Sequence, residues 1–248
     1  MVTKIPTHYL SLIIPVYRQQ HIILTDVKNI KAVLDQIRYD YEIIIVFDGI
    51  EDKSYQKIKK AKIDKVKTLT YFKNQGKAYA IRLGMKQAKG DYVMFIDSGM
   101  EIDPNGISML LEHMEWYHAD IIVGSKRHPA SIINYSWPRK ILSFGYYYIV
   151  KLLFGIKVRD TQAGIKIFRK PVLMRILPRL VEKKFCGDLE MLVAADSMGF
   201  KRIYEAPIKL DYQLSHLTSS ATFRSILGIF TDTIALWYRK NILKYYKI

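Results

Sequence analysis

Cysteine is almost absent, with Cys186 alone in 248 residues, which excludes an internal disulfide and a cysteine-based metal cluster. The six histidines show no His-x-x-x-His or similar ligand spacing, so zinc chemistry has no support either. No uninterrupted apolar run reaches the ~18 residues that would mark a membrane-spanning helix, and the amino terminus shows no signal-peptide pattern. Acidic residues are scarce against basic ones, 23 to 39, giving a formal net charge of +16 and a pI near 9.7. A field of that sign favours anionic surfaces, although lysine enrichment also marks heat-adapted proteins. Helix-turn-helix, RNP-like and zinc-finger patterns are all missing, and the tyrosines cluster with aliphatics rather than alternating with basic residues. Nucleic acid is therefore not the expected partner.

Half of the residues are hydrophobic, enough for one sizeable core. LSLIIPVY at residues 10–17 and YEIIIVF at 41–47 are continuous apolar runs, the pattern of strands covered on both faces. Between them, HIILTDVKNIKAVLDQI spaces Ile30, Val33, Leu34 and Ile37 as one helical face. Strand, helix, strand makes a βαβ unit. The alternation continues with a helix near Ser54 to Lys62, a strand at Lys67 to Phe72, a helix near Lys77 to Ala88, and a strand ending at Asp97. The expected fold is α/β, a Rossmann-like, mostly parallel sheet flanked by helices.

The run GDYVMFIDSGMEID at 90–103 delivers carboxylates to the carboxyl end of a parallel strand, where α/β sheets bind ligands. Asp97, Glu101 and Asp103 recur every few residues and fit hard oxygen ligands for Mg²⁺ or Mn²⁺ beside a diphosphate. Spacing alone fits equally well a surface turn whose acids hydrogen-bond their own backbone.

The landmarks LSLIIPVY, EIIIVFDG, NQGKAYAIRLGMKQAKGDYVMFID, Asp103-Pro104, ADIIVGSKR, the Trp137 to Ser143 segment, VRDTQAGIKIFRK and FCGDLEML follow one another in order. In this the chain resembles family 2 glycosyltransferases of the GT-A fold, and among them the dolichol-phosphate mannose and glucose synthases, over residues 9–215. The resemblance implies a catalytic domain at 1–215 and leaves 216–248 as a carboxyl-terminal amphipathic helical tail. In that tail Phe223, Ile226, Leu227, Phe230, Ile234 and Trp237 form a stripe that fits either a membrane interface or packing on the domain.

Four positions depart from the family pattern. Asp97-Ser98-Gly99 replaces Asp-x-Asp, Phe47-Asp48 replaces a paired Asp, Tyr17-Arg18-Gln19 replaces Tyr-Asn-Glu, and Gln213 stands for an Arg. The resemblance nonetheless implies a nucleotide-sugar donor lined by Pro15, Tyr17, Asp48, Lys77 and Asp97, with Asp97 and Glu101 holding the metal. Lys77, Lys126 and Arg127 are its cationic candidates for the diphosphate, and Arg139 and Ser143, one helical turn apart, for the phosphate of a polyprenyl (dolichyl) phosphate acceptor. Asp188 falls at the family's acidic position, to orient sugar or acceptor, or to act as a base if the acceptor is a hydroxyl.

The expected activity is inverting transfer of a hexose, mannose from GDP-mannose ahead of glucose from UDP-glucose. The expected place is the cytoplasmic face of the membrane, as a peripheral protein. Two alternatives stay open, an enzyme extending a lipid-linked glycan with Asp188 as base and a catalytically silent nucleotide-sugar-binding relative.

Overall fold

The computed structural model describes residues 8–99, 101–132, 137–184, 186–210 and 223–247, with the side chains of 137–142 and 223–227 left out. The chain begins β1 (Tyr9–Val16), α1 (Ile23–Leu34), β2 (Asp40–Phe47), α2 (Ser54–Ala61), β3 (Val66–Thr70), α3 (Lys77–Gln87) and β4 (Tyr92–Ile96). It continues α4 (Gly106–Trp116), β5 (Ile121–Ser125), α5 (Trp137–Phe154), β6 (Ile165–Arg169), α6 (Lys170–Ile176), α7 (Gly187–Ser197), β7 (Ile203–Pro207) and α8 (Phe223–Asn241). The βαβ units expected from the apolar runs are present.

Among the described residues the strands form one sheet in the order β3-β2-β1-β4-β6-β5-β7. β6 runs antiparallel to β4 and β5, and the other neighbours are parallel. Both faces are covered, which is why the central strands read as unbroken apolar runs. Ile13, Ile44, Val46 and Phe95 face α3, α5, α6 and α7. Leu12, Ile14, Ile43, Ile45 and Phe47 face α1, α2 and α4. On α1 the buried positions are Ile23, Asp26, Val27, Ile30 and Leu34. Val33 and Ile37 are only partly buried, because the inward face is turned slightly from the one the spacing suggested.

The carboxyl-terminal helix is not a separate tail. Leu236 and Tyr246 are buried in the same core as α7, and Tyr246 donates its hydroxyl hydrogen bond to the buried Glu190 of α7 at 2.6 Å. Arg239 pairs with Glu182, and Lys240 Nζ donates to the Phe154 carbonyl at 2.8 Å. Burying two large side chains stabilises this docking by roughly 1.5–3 kcal/mol each. Of the predicted stripe, Trp237 packs on the core, Phe230 and Ile234 are exposed, and the side chains of Phe223, Ile226 and Leu227 lie outside the described residues.

Candidate active site

The site forms where the strand ends release their chains. Asp97 follows β4, and its backbone N–H donates to the Gly164 carbonyl at 2.8 Å, just before β6 begins. Since β6 is antiparallel, its entry lies beside the exit of β4, with Ile96 opposite Ile165. Lys77 opens α3 and Asp188 lies in the first turn of α7, where a carboxylate is favoured by the helix dipole.

These elements bring four charges together. Lys77 Nζ lies 2.8 Å from Asp97 Oδ2 and 3.0 Å from Asp188 Oδ2. The other oxygen of Asp188 is 3.0 Å from Lys166 Nζ, which also donates to the Ala163 carbonyl at 2.7 Å. Both ammonium groups sit over the ring of Phe95, at 5.7 and 5.2 Å from its centroid, an attraction that adds to the ion pairs.

The two acids are driven apart. Burial raises the carboxyl of Asp97 above the usual range and the charge of Asp188 adds to this, with Lys77 in partial opposition. Burial also works against the charged form of Asp188, but Lys166 and Lys77 outweigh it and hold the group below the usual range. Burial lowers Lys166, while for Lys77 the attraction of Asp188 and Asp97 prevails and raises it.

Lys166 was not foreseen from the sequence. A lysine in IKIFR reads as the solvent-facing position of a strand, and only a sheet covered on both faces turns it inward.

The metal question turns on Asp97 Oδ1, which is buried and makes no hydrogen bond. Such an atom is costly unless a partner arrives. A divalent ion fits it, since Mg²⁺-like ions take one or two protein carboxylates and complete their shell with water and substrate phosphates. Glu101 is half-buried, four residues further on. Among the described residues no three His, Cys, Asp or Glu side chains form a ready-made metal cage. At the position of the missing second acid the backbone is one that suits glycine. Gly99 has φ of 106°, a region unfavourable to Asp, and its N–H donates to the buried Asp26 Oδ2 at 2.9 Å.

Asp48 requires a correction. Expected against the nucleotide, its carboxylate is filled by protein donors: Tyr71 Oη at 2.8 Å, Asn74 Nδ2 at 3.1 Å, and the N–H groups of Gln75 and Gly76 at 2.7 and 3.0 Å. It shapes the loop that ends in Lys77 and has no oxygen to spare for a ribose. Tyr17 and Arg18 bond Glu51, at 3.0 and 2.8 Å, so the loops after β1 and β2 are laced together. Pro15 lies inside β1, paired with Val46, and shapes the site from the backbone.

A second cationic group lies after β5. Lys126 N–H donates to the buried Asp160 at 2.9 Å, while Arg127 donates to Ser143 Oγ at 2.6 Å and to the Arg159 carbonyl at 2.5 Å. Its guanidinium also lies 5.0 Å from the ring centroids of Phe144 and Tyr147. The segment 160–164 joins the two groups, because Asp160 holds Lys126 while the carbonyls of Ala163 and Gly164 hold Lys166 and Asp97. Arg139 falls in α5, but its side chain lies outside the described residues, as does Gln213.

A mostly parallel sheet with one reversed strand, carrying acids and lysines at its strand ends, defines a GT-A-type glycosyltransferase fold. The same architecture occurs in glucosyl-3-phosphoglycerate synthase from Mycobacterium tuberculosis, solved in complex with Mn²⁺, UDP and phosphoglyceric acid. That structure matches with a TM-score of 0.69 at 14% identity, over 94% of this chain and 78% of that one. The chain belongs to glycosyl transferase family 2, whose model matches residues 11–177. It is similar to a dolichyl-phosphate beta-glucosyltransferase of Drosophila melanogaster, 28% identical over 94% of this chain and 76% of that protein. A human dolichyl-phosphate beta-glucosyltransferase is 27% identical over 77% of this chain. The match takes in 64% of the human protein's length.

Proposed function

We propose that the protein transfers glucose from UDP-glucose, with inversion, to the phosphate of a polyprenyl phosphate of the dolichyl type, working peripherally at the cytoplasmic membrane face. The observation that carries the transfer reading is the orphaned, buried Asp97 Oδ1 beside the Lys77–Asp188–Lys166 cluster at the exit of β4. The acceptor and the sugar rest on the names of the similar proteins, and these reverse the order expected from the sequence, which favoured mannose from GDP-mannose.

Asp97, with Glu101, would hold Mg²⁺ or Mn²⁺, which supplies neutralisation of the charge that builds on the leaving diphosphate. Lys77 adds a cation at the same place. It rests on Asp97 and Asp188 in the free protein and has a third N–H for a phosphate oxygen. Arg127 and Ser143, already bonded at 2.6 Å, together with Lys126 and Arg139, provide the cationic seat for the acceptor phosphate. That phosphate has a second pKa of about 6, so near neutral pH it attacks as a dianion without a strong base.

The pairing of Asp188 favours this acceptor over a hydroxyl. Each of its oxygens is held by a lysine, and a carboxylate kept below its usual range is a weak base. Its role is to orient Lys77. The membrane part of the reading is supported by two exposed apolar rows, Phe144, Tyr148 and Leu152 on α5 and Phe230, Ile234 and Tyr238 on α8. Leu152 is 86% exposed, and α5 and α8 touch through Tyr146 and Thr233. Among the described residues no helix is long and apolar enough to cross a membrane.

The test is transfer of labelled sugar from UDP-glucose and GDP-mannose to a short polyprenyl phosphate in detergent, with Mg²⁺, Mn²⁺ or EDTA. Metal-dependent label from UDP-glucose in the lipid phase is expected. Label from GDP-mannose alone would overturn the sugar, and no transfer from either donor would overturn the reading in favour of a silent relative.

A further inference from the structure

At the far end of α7 from Asp188, the molecule has a cavity of about 330 Å³ that the transfer reaction does not use. Its wall includes Lys201, Lys240, Lys244 and Lys247 against one acid, Asp196. Lys201 Nζ is 2.7 Å from Asp196 Oδ1 and balances it. The other three cations form no ion pair among the described residues, Lys240 donating to the Phe154 carbonyl instead. Lys244 and Lys247 are exposed and Lys240 is half-buried, and the single carboxylate of Asp196 stands against four lysines, an excess of positive charge that attracts anions.

The backbone brings two of these lysines together. Lys244 holds φ at 51°, a left-handed conformation that costs a non-glycine residue energy and clusters at functional sites. It turns the chain after α8 so that Lys247 N–H reaches the Lys244 carbonyl at 3.0 Å, bringing both lysines to the same cavity.

The surroundings say what carries the anion. Asn241, in the wall, lies one helical turn beyond Tyr238, at the end of the exposed row Phe230, Ile234, Tyr238, and Ile242 and Leu243 beside it are exposed as well. A charged cavity at the end of an apolar row matches a phosphate group attached to hydrocarbon chains.

We propose that this cavity binds a phosphate group, in the form of the headgroup of an anionic phospholipid, and so fixes the protein on the membrane. The phosphate site stands independently of the transfer chemistry, and its lipid source rests on the membrane-surface part of the proposed function. α7 places it apart from the catalytic cluster, since Asp188 and Asp196 are separated by about 12 Å of helix.

The experiment uses the full chain with two probes, inorganic phosphate at constant ionic strength and vesicles of phosphatidylcholine with or without phosphatidylglycerol. Lys244→Gln/Lys247→Gln, both exposed positions, is compared with Lys60→Gln/Lys86→Gln, which removes equal charge elsewhere. Phosphate is expected to bind the wild type, and about tenfold more weakly to Lys244→Gln/Lys247→Gln. Binding to anionic vesicles is expected to fall about thirtyfold in the Lys244/Lys247 variant and to hold in the Lys60/Lys86 control. Vesicle binding that is equal in the two lysine variants would overturn the cavity while leaving the membrane reading intact. Phosphate binding lost in the Lys244/Lys247 variant, without vesicle preference, would keep the phosphate site and overturn the lipid source. Binding of neither probe would overturn both.

Discussion

Lys166 Nζ lies 3.0 Å from Asp188 Oδ1, with the lysine side chain 0% exposed. The pair ties β6 to α7 in the interior. Removing one partner leaves an uncompensated buried charge, which costs about 3–5 kcal/mol. Lys166→Met is expected to lower the urea midpoint accordingly and to reduce transfer, because Asp188, having lost its second lysine, would no longer be fixed in the position that orients Lys77. A stability within about 1 kcal/mol of wild type would show that the pair contributes little.

Asp97→Asn keeps the volume of the side chain and removes its charge. Loss of the cation seat should lower metal-dependent transfer by about a thousandfold and remove Mn²⁺ binding, read by calorimetry in the presence of UDP. Persistence of Mn²⁺ binding would assign the metal elsewhere.

The backbone of Gly164 runs directly beside that acid. A Cβ there would overlap the Asp97 carboxylate, so Gly164→Ala must turn it away from Lys77. We expect a folded protein with unchanged circular dichroism and a loss of kcat of at least about a hundredfold. Wild-type kcat in this variant would mean that the position of Asp97 is not critical.

Arg127→Ala removes the donor that joins β5 to Ser143 and Arg159. Charge-assisted hydrogen bonds contribute about 1.5–3 kcal/mol, so KM for the polyprenyl phosphate should rise about tenfold or more. KM for the nucleotide sugar should stay the same, and an equal rise in both would move Arg127 to the donor side.

The buried Asp26 predicts a pH dependence. Burial raises its folded pKa and the Gly99 N–H opposes this only in part. An acid whose folded pKa exceeds the unfolded value of about 3.9 destabilises the fold progressively as pH rises through the folded pKa. Asp26→Asn retains an acceptor for Gly99 without that penalty. Its Tm should exceed wild type near neutral pH and the gain should vanish below about pH 3.9. A gain independent of pH would rule out ionisation as the cause.

The strands of the parallel half were legible from sequence, because LSLIIPVY, YEIIIVF and YVMFI are buried on both faces and look it, but their order in the sheet was not. The partners of the charged residues were not. Tyr71, Asn74 and Gly76 lie 23 to 28 residues from Asp48, so the sequence displayed an acid at a strand end without showing that its oxygens were already taken. Lys166 and Asp188 are 22 residues apart on different elements, and the polarity of lysine concealed its burial. The stripe on α8 was visible, but a face that meets a core and one left exposed have the same period, and only the structure shows Trp237 packed on the core while Phe230 and Ile234 stay exposed.

The reversed strand β6 has one more effect. The Asp97 N–H to Gly164 bond continues the β4–β6 ladder one rung past Ile96 and Ile165, so the acid is held by the sheet and not by an independent loop. Local opening cannot then release it at lower cost than fraying the central strands. Inactivation on heating should therefore coincide with loss of the fold, and the amides around this rung should exchange with solvent as slowly as the middle of the sheet.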